Sequence, residues 1–227
     1  MDELPPLGFG TYDDEDSQVS AEAVAYALDH GYRHVDTAEM YGNEDVVGAG
    51  VRASSVDREE VVVATKLAPE HLAYDDAIEH AHASADRLGV DYLDLLYVHW
   101  PDTTYDPGET LPALDHLRET GLVREVGMCN CRPDQIETAV ERLASPLFAH
   151  QVECHPLLQQ RELRRLAREH DHYLVAYSPL AKGEILDVPE LQAIAEERGA
   201  TPAQVARIEA IDREKRVVDG PGAPWQQ

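Results

Sequence analysis

Lysine is nearly missing from this chain. It occurs at positions 66, 182 and 215, while aspartate and glutamate together number 44 and the formal net charge is -25. A surface so acidic repels nucleic acid and anionic membranes, so neither is an expected partner. No apolar run approaches the ~20 residues a membrane-crossing helix needs. The first residues, Met1-Asp-Glu-Leu-Pro-Pro-Leu-Gly8, lack a basic stretch followed by an apolar one, so they do not read as a signal peptide and a cytoplasmic location is expected. Cysteine is scarce and odd in number, at 129, 131 and 154, which argues against a disulfide framework and suits a reducing compartment. Cys129, Cys131, Cys154 and His155 fit no zinc-ligand spacing, so no metal is expected there. His80/His82 and His170/His172 are two apart on predicted helices, do not share a face, and read as solvated.

What the sequence does contain is an alternation of short apolar runs with amphipathic stretches. Strands are predicted over 33–38, 61–67, 93–100, 123–130, 150–153 and 174–179, and helices over 20–30, 74–88, 110–119, 132–143, 161–170 and 188–198. Ser20 and Thr110 are candidate caps at helix starts, and Gly31, Gly89, Gly121 and Gly199 stand where helices should end. The near-continuous apolar strands suit a parallel sheet buried on both faces. Repeated strand–helix units build either an open doubly wound sheet or a closed barrel. No Gly-x-Gly-x-x-Gly follows the first predicted strand, which disfavours the open dinucleotide-binding sheet and leaves a (β/α) TIM-barrel type of α/β fold. A single domain over 1–227 is expected, with 184–227 as a shortened C-terminal helical region and tail.

In such a barrel the reactive groups sit at the C-terminal ends of strands. Read in order, those ends carry Asp36, then Tyr41 just beyond, Lys66, and His99. The combination has a use. Reducing a carbonyl places a hydride on carbon and a proton on oxygen. A tyrosine hydroxyl, with an ordinary pKa near ~10, is a poor acid unless its environment favours the phenolate. An ammonium at Lys66 would do so, a carboxylate at Asp36 would hold that ammonium charged, and a neutral imidazole at His99 could orient the substrate oxygen. Any one of these residues alone is more often a cap, an ion-pair partner or a packed core residue; the set of four on successive strand ends is hard to explain as packing.

The resemblance then becomes specific. Gly31-Tyr-Arg-His-Val-Asp-Thr-Ala-Glu-Met-Tyr-Gly-Asn-Glu44, Asp94-Leu-Leu-Tyr-Val-His-Trp-Pro101, Gly121-Leu-Val-Arg-Glu-Val-Gly127 followed by Asn130, Gln151-Val-Glu-Cys-His-Pro156 and Ala176-Tyr-Ser-Pro-Leu180 resemble, in order, the motifs of the aldo-keto reductases. That resemblance implies NADP(H), possibly NAD(H), as cofactor and a small-molecule carbonyl as substrate. It implies Tyr41 as general acid, with Asp36, Lys66 and His99 beside it. Asn130 and Gln151 would hydrogen-bond the nicotinamide carboxamide, next to Cys129 where the family often has serine. Tyr177 would stack on the nicotinamide, Ser178 and Leu180 would meet the pyrophosphate, Gly10, Thr11 and Tyr12 would cover the cofactor near the rim, and Trp100 would line the substrate pocket. A monomer or weak homo-oligomer is expected. The acid-rich, lysine-poor surface resembles that of haloarchaeal-type, salt-adapted proteins.

After Gly183 the family pattern fails. Thr201-Pro-Ala-Gln-Val-Ala206 opens a predicted helix, but it runs straight into 207–216, which resembles the far C-terminal helix of the family, as if an internal block had been excised. The missing block is where the family holds the adenosine 2′-phosphate and adenine. The residues left are too few for two more strand–helix units of roughly 30 residues each, so an incomplete barrel with six of eight strands is expected. Its gap could be covered by the C-terminal helix or by a second copy, or the chain could fold poorly. Two readings follow: a working carbonyl reductase, or a truncated, catalytically impaired homologue acting at most as a binding protein.

Overall fold

The computed structural model describes residues 3–12 and 19–205. Every apolar run expected to be a strand is one, and a further strand precedes them. The strands are β1 (Phe9–Gly10), β2 (His34–Asp36), β3 (Val62–Leu67), β4 (Leu93–Val98), β5 (Val123–Cys129), β6 (Ala149–Glu153) and β7 (Tyr173–Tyr177). Between and after them lie α1 (Ala21–Asp29), α2 (Glu44–Ala53), α3 (Tyr74–Leu88), α4 (Thr110–Glu119), α5 (Pro133–Arg142), α6 (Arg161–Glu169) and α7 (Pro189–Arg198). All strands are parallel and pair in sequence order from β1 to β7. This is the expected TIM-barrel type of sheet, incomplete, with β1 and β7 as its edges. The additional strand brings the count among the described residues to seven rather than six. Phe9–Gly10 is two residues long, one of them a glycine, and so carries no alternation that a sequence pattern could reveal.

The period of two along each strand sorts side chains to two sides. Val63, Leu96, Val98, Val126 and Met128 join the large core under the helices with Leu28, Val47, Leu88, Leu114 and Leu117. Val62, Ala64, Leu95, Tyr97, Cys129 and Ala149 form a second cluster on the opposite face, inside the curved sheet. Space inside is tight. A Cβ on Gly127 would lie 2.4 Å from the Tyr97 ring, so the glycine makes room for the only large aromatic ring in that cluster's buried set. Each fully buried Leu or Val contributes about 1.5–3 kcal/mol relative to exposure, and β3 and β4 are buried at every residue.

Helix ends follow local chemistry. Ser20 caps α1, its hydroxyl accepting from Ala23 N at 3.1 Å. Thr110 is not a cap: it lies inside α4, and its hydroxyl donates to Leu72 O at 2.6 Å, tying the helix to the loop before α3. Gly31, Gly89, Gly121 and Gly199 all have positive φ, as helix-stopping glycines do. After α7, Thr201 and Gln204 make the reciprocal bonds of a capping box, Gln204 N to Thr201 Oγ1 at 3.3 Å and Thr201 N to Gln204 Oε1 at 2.8 Å. The body of the helix expected there, and the segment 207–216, lie outside the described residues. Among the described residues no helix is long and apolar enough to cross a membrane.

Candidate active site

The ends of β2, β3 and β4 bring Asp36, Lys66 and His99 to one rim. Lys66 is 1% exposed. A buried ammonium costs several kcal/mol unless it is paired and hydrogen-bonded. Here it donates to Asp36 Oδ1 and, at 2.8 Å, to Thr37 O. The other carboxylate oxygen, Asp36 Oδ2, accepts from Gln151 Nε2 at 2.7 Å across the sheet. Burial pushes the Asp36 carboxyl up, but the Lys66 charge outweighs it and holds the group below its ordinary value. Burial likewise works against the Lys66 ammonium, and Asp36 overcomes it, so the lysine stays charged.

Tyr41 ends a short 3-10 turn, Glu39–Tyr41, that follows β2. The turn is fixed from both sides. Thr37 Oγ1 donates to Asn43 Oδ1 and Asn43 Nδ2 to Thr11 O, each at 2.8 Å. Thr65 Oγ1 and Arg87 Nε both donate to the buried Glu44 carboxylate, each at 2.6 Å. The Lys66 Nζ lies 5.1 Å from the Tyr41 ring centroid. His99 stands edge-on to the same ring at 5.7 Å, and Tyr12 at 5.1 Å on another side. Burial raises the Tyr41 pKa, Lys66 lowers it, and the net direction is up. The ammonium therefore does not make the phenol acidic outright. It leaves the proton in place at neutral pH and stands ready beside the phenolate that proton transfer would create.

His99 is held neutral. Burial, reinforced by the Lys66 charge, takes its pKa down to about 3. Its Nδ1 is buried with no hydrogen-bond partner among the described residues. The backbone oxygen of His99 accepts from Asn130 Nδ2 at 3.0 Å, and Asn130 Oδ1 accepts from the Tyr177 hydroxyl at 3.0 Å. This chain of contacts ties the ends of β4, β5 and β7 together. Asn130 takes a positive φ of 56° to do so. Cys129 is buried, paired in register with Gln151, and burial drives its thiol well above the ordinary value.

The remaining candidates fall around this centre. Thr11 is buried, and both its N–H and hydroxyl donate to Asp36 O at 3.0 Å. Gly10 is exposed on β1, Tyr12 is 65% exposed, and Trp100 is buried with its ring 6.4 Å from that of His99. Ser178 and Leu180 stand at the margin, in the turn after β7. Ser178 has a φ of 48°, and Leu180 is 41% exposed. Two histidines expected to be solvated are not. His80 contacts Glu39, and His172 is 6% exposed, packed 6.4 Å from the buried His150 ring. His82 and His170 are exposed as expected. Glu39, Glu44 and Asn43 position the Tyr41 turn, and the sequence hints at them only by polar residues spaced around Tyr41 in the first motif.

Comparison with known proteins is consistent over most of the chain. Residues 6–216 match the family model described as Aldo/keto reductase family. An aldo-keto reductase of Mycolicibacterium smegmatis is 40% identical over 203 residues, covering 89% of this chain and 74% of that protein. A protein of Trypanosoma cruzi named 9,11-endoperoxide prostaglandin H2 reductase is 38% identical over 205 residues, covering 89% of this chain and 72% of that one. Among solved structures, an aldo/keto reductase from Brucella melitensis superposes with a TM-score of 0.80 at 35% identity, covering 89% of this chain and 78% of that one.

Proposed function

The chain belongs to the aldo/keto reductase family, and from that premise we propose that it reduces an aldehyde or ketone to an alcohol with NAD(P)H, Tyr41 giving the proton. The observation that carries this reading is the buried Asp36–Lys66 pair set against the Tyr41 ring with the neutral His99 beside it.

The residues present fit the nicotinamide end of such a cofactor. Gln151 spends its Nε2 on Asp36, which leaves its carbonyl end for a carboxamide. Asn130 lies next to it across the β5–β6 register, where Cys129 faces Gln151. The half-buried Tyr177 ring is anchored through its hydroxyl to Asn130 and would present a face to a flat heterocycle. Gly10, Thr11 and Tyr12 would cover it at the rim, while Ser178 and Leu180 would hold the pyrophosphate. When bound, NAD(P)H supplies the hydride. The protein's own part is proton transfer and orientation. His99, neutral, would hydrogen-bond the carbonyl oxygen and turn it toward the Tyr41 hydroxyl. Tyr41 would pass its proton to that oxygen as the carbon accepts hydride. Lys66 would stabilise the phenolate left behind, and Asp36 would keep Lys66 charged and in place. Trp100 would line the side on which the substrate enters.

The adenosine end is where the sequence resembles the family motifs least. By the family resemblance, the block that would bind the 2′-phosphate and adenine is expected after Gly183, and the sequence there does not resemble it. We therefore propose an internal deletion, weakened NADP(H) affinity and a reduced preference over NAD(H). The exposure of β7 favours the second reading, an impaired homologue acting at most as a binding protein. With a net charge of -25, activity should be highest in molar KCl, where counterions screen carboxylate repulsion. NADPH oxidation with a reactive aldehyde in molar KCl tests the reading. Turnover by the wild type and its loss in Tyr41→Phe support it; equal rates in the two, or no rate in either, refute it.

A further inference from the structure

Outside the rim, one cluster of side chains has no part in the proposed chemistry. Glu39 begins the turn that ends at Tyr41. Its Oε2 accepts from Ala68 N at 3.0 Å, which fixes the carboxylate. Its Oε1 then meets two imidazole nitrogens, His71 Nδ1 at 3.1 Å and His80 Nδ1. The two rings are stacked, with centroids 3.4 Å apart and planes 17° apart. All three donor atoms lie within 4.8 Å of one another. Hydrogen bonding alone would require both Nδ1 atoms to carry hydrogen and to share one oxygen. A metal ion uses the same convergence more fully, since it takes a lone pair from each of the three atoms at a single point, with bonds of about 2.0–2.2 Å. The ligands come from three separate segments: the Glu39–Tyr41 turn, the Pro69–His71 turn and helix α3. The competing cation is Arg87, whose Nη2 is 3.9 Å from Glu39 Oε1. That guanidinium is already committed, donating from Nε to Glu44 at 2.6 Å and from Nη2 to Ser84 Oγ at 3.0 Å.

We propose that Glu39, His71 and His80 bind a divalent transition metal of the zinc class. Two imidazoles and a carboxylate select such ions over magnesium or calcium, which prefer all-oxygen shells. The His71 and His80 side chains are 33% and 28% exposed, so an ion has a route in and room for water as a further ligand. Bound there, the metal clamps the turn carrying Tyr41 to the loop after β3 and to α3. The site does not depend on the reductase reading, because binding can be read without turnover.

Equilibrium dialysis against Zn²⁺, with excess Mg²⁺ to occupy the acidic surface, tests the site, and Co²⁺ absorption reports nitrogen ligation. The wild type should retain a single equivalent of zinc and give the visible Co²⁺ band. His71→Ala and His80→Ala should each weaken binding by more than the roughly 10–100-fold that losing an outer-shell partner costs. His82→Ala, exposed on the same helix, should bind as the wild type does. Zn²⁺ should raise the melting temperature of the wild type and not of the two ligand variants. His80→Gln, closer in size, serves if an alanine variant fails to fold. No zinc held above the Mg²⁺ background would overturn the proposal, as would zinc binding unchanged in both the His71 and His80 variants; the cluster would then be a hydrogen-bonded cap.

Discussion

Strands β4 and β7 have similar compositions and opposite surroundings. Leu-Asp-Leu-Leu-Tyr-Val of β4 is buried at every position, whereas Tyr-Leu-Val-Ala-Tyr of β7 has no fully buried residue, and Tyr173 is 38% exposed. The difference is one of neighbours. β4 has a strand on each side, and its Leu93, Leu96 and Val98 share the large core with Leu88 of α3 and Leu114 and Leu117 of α4, while β7 pairs with β6 alone and forms an edge of the sheet. An apolar strand is therefore protected by its position in the sheet rather than by its composition. The four proposed proton-transfer residues rest on the protected side. The proposed nicotinamide-stacking and pyrophosphate residues, Tyr177, Ser178 and Leu180, rest on the open side. Loss of cofactor affinity and loss of chemistry should thus be separable in this chain.

Mutations sharpen that contrast. The largest effect is expected on the protected side: Tyr41→Phe should cost about 10²–10⁴-fold in turnover, the usual scale of a general acid, with cofactor affinity and melting temperature unchanged. A variant that loses both activity and cofactor binding would break the separation. Next is Asp36→Asn. It leaves the buried Lys66 charge without its partner, and breaking a buried pair costs about 3–5 kcal/mol. Urea unfolding at neutral pH measures it, and an unchanged midpoint would contradict the burial of Lys66.

Acid should act on the same side. His99 and His150 are held near pKa 3 by burial. The unfolded chain takes up protons near the ordinary value of about 6.5, and the folded chain does not. Stability is therefore full above that value and falls as pH drops through the window toward 3, by up to about 1.4 kcal/mol per pH unit for each group. Asp36, held low by Lys66, adds its loss only in the carboxylate range below that. Urea midpoints across this range should fall, and His150→Gln should flatten the slope. Smaller still is Gly127→Ala, where a methyl against the Tyr97 ring should cost about 1–3 kcal/mol. Smallest in stability is Tyr177→Ala on the open side. It removes one hydrogen bond worth about 1 kcal/mol, yet it should weaken NADPH binding by more than Tyr41→Phe does, as nucleotide fluorescence titration would show.

Much of this was legible in the residues, for particular reasons. Asp36, Lys66 and His99 sit at the ends of long apolar runs, so reading the strands located the rim. The acidifying effect that the sequence leads one to expect of Lys66 is outweighed in the fold, because burial of Tyr41 is invisible in a sequence and opposes the ammonium. Phe9–Gly10 went unread because two residues have no period. The Glu39–His71–His80 cluster leaves no signal in the sequence, because its members are far apart in the chain and meet only where two turns and α3 come together. His172 reads from the sequence as a solvated helix histidine, but the turn after α6 folds it against His150.

The central claim is that the rim of β2, β3 and β4 can transfer a proton while hydride reaches a carbonyl carbon, even with the open side weakened. The most direct measurement is a single-turnover reaction at saturating NADPH carrying deuterium at the reactive ring carbon, with an aldehyde, in molar KCl. Deuterium should appear in the alcohol carbon for the wild type and not, on the same timescale, for Tyr41→Phe. Absence of label with the wild type at saturating cofactor, or equal label in both proteins, would contradict the claim.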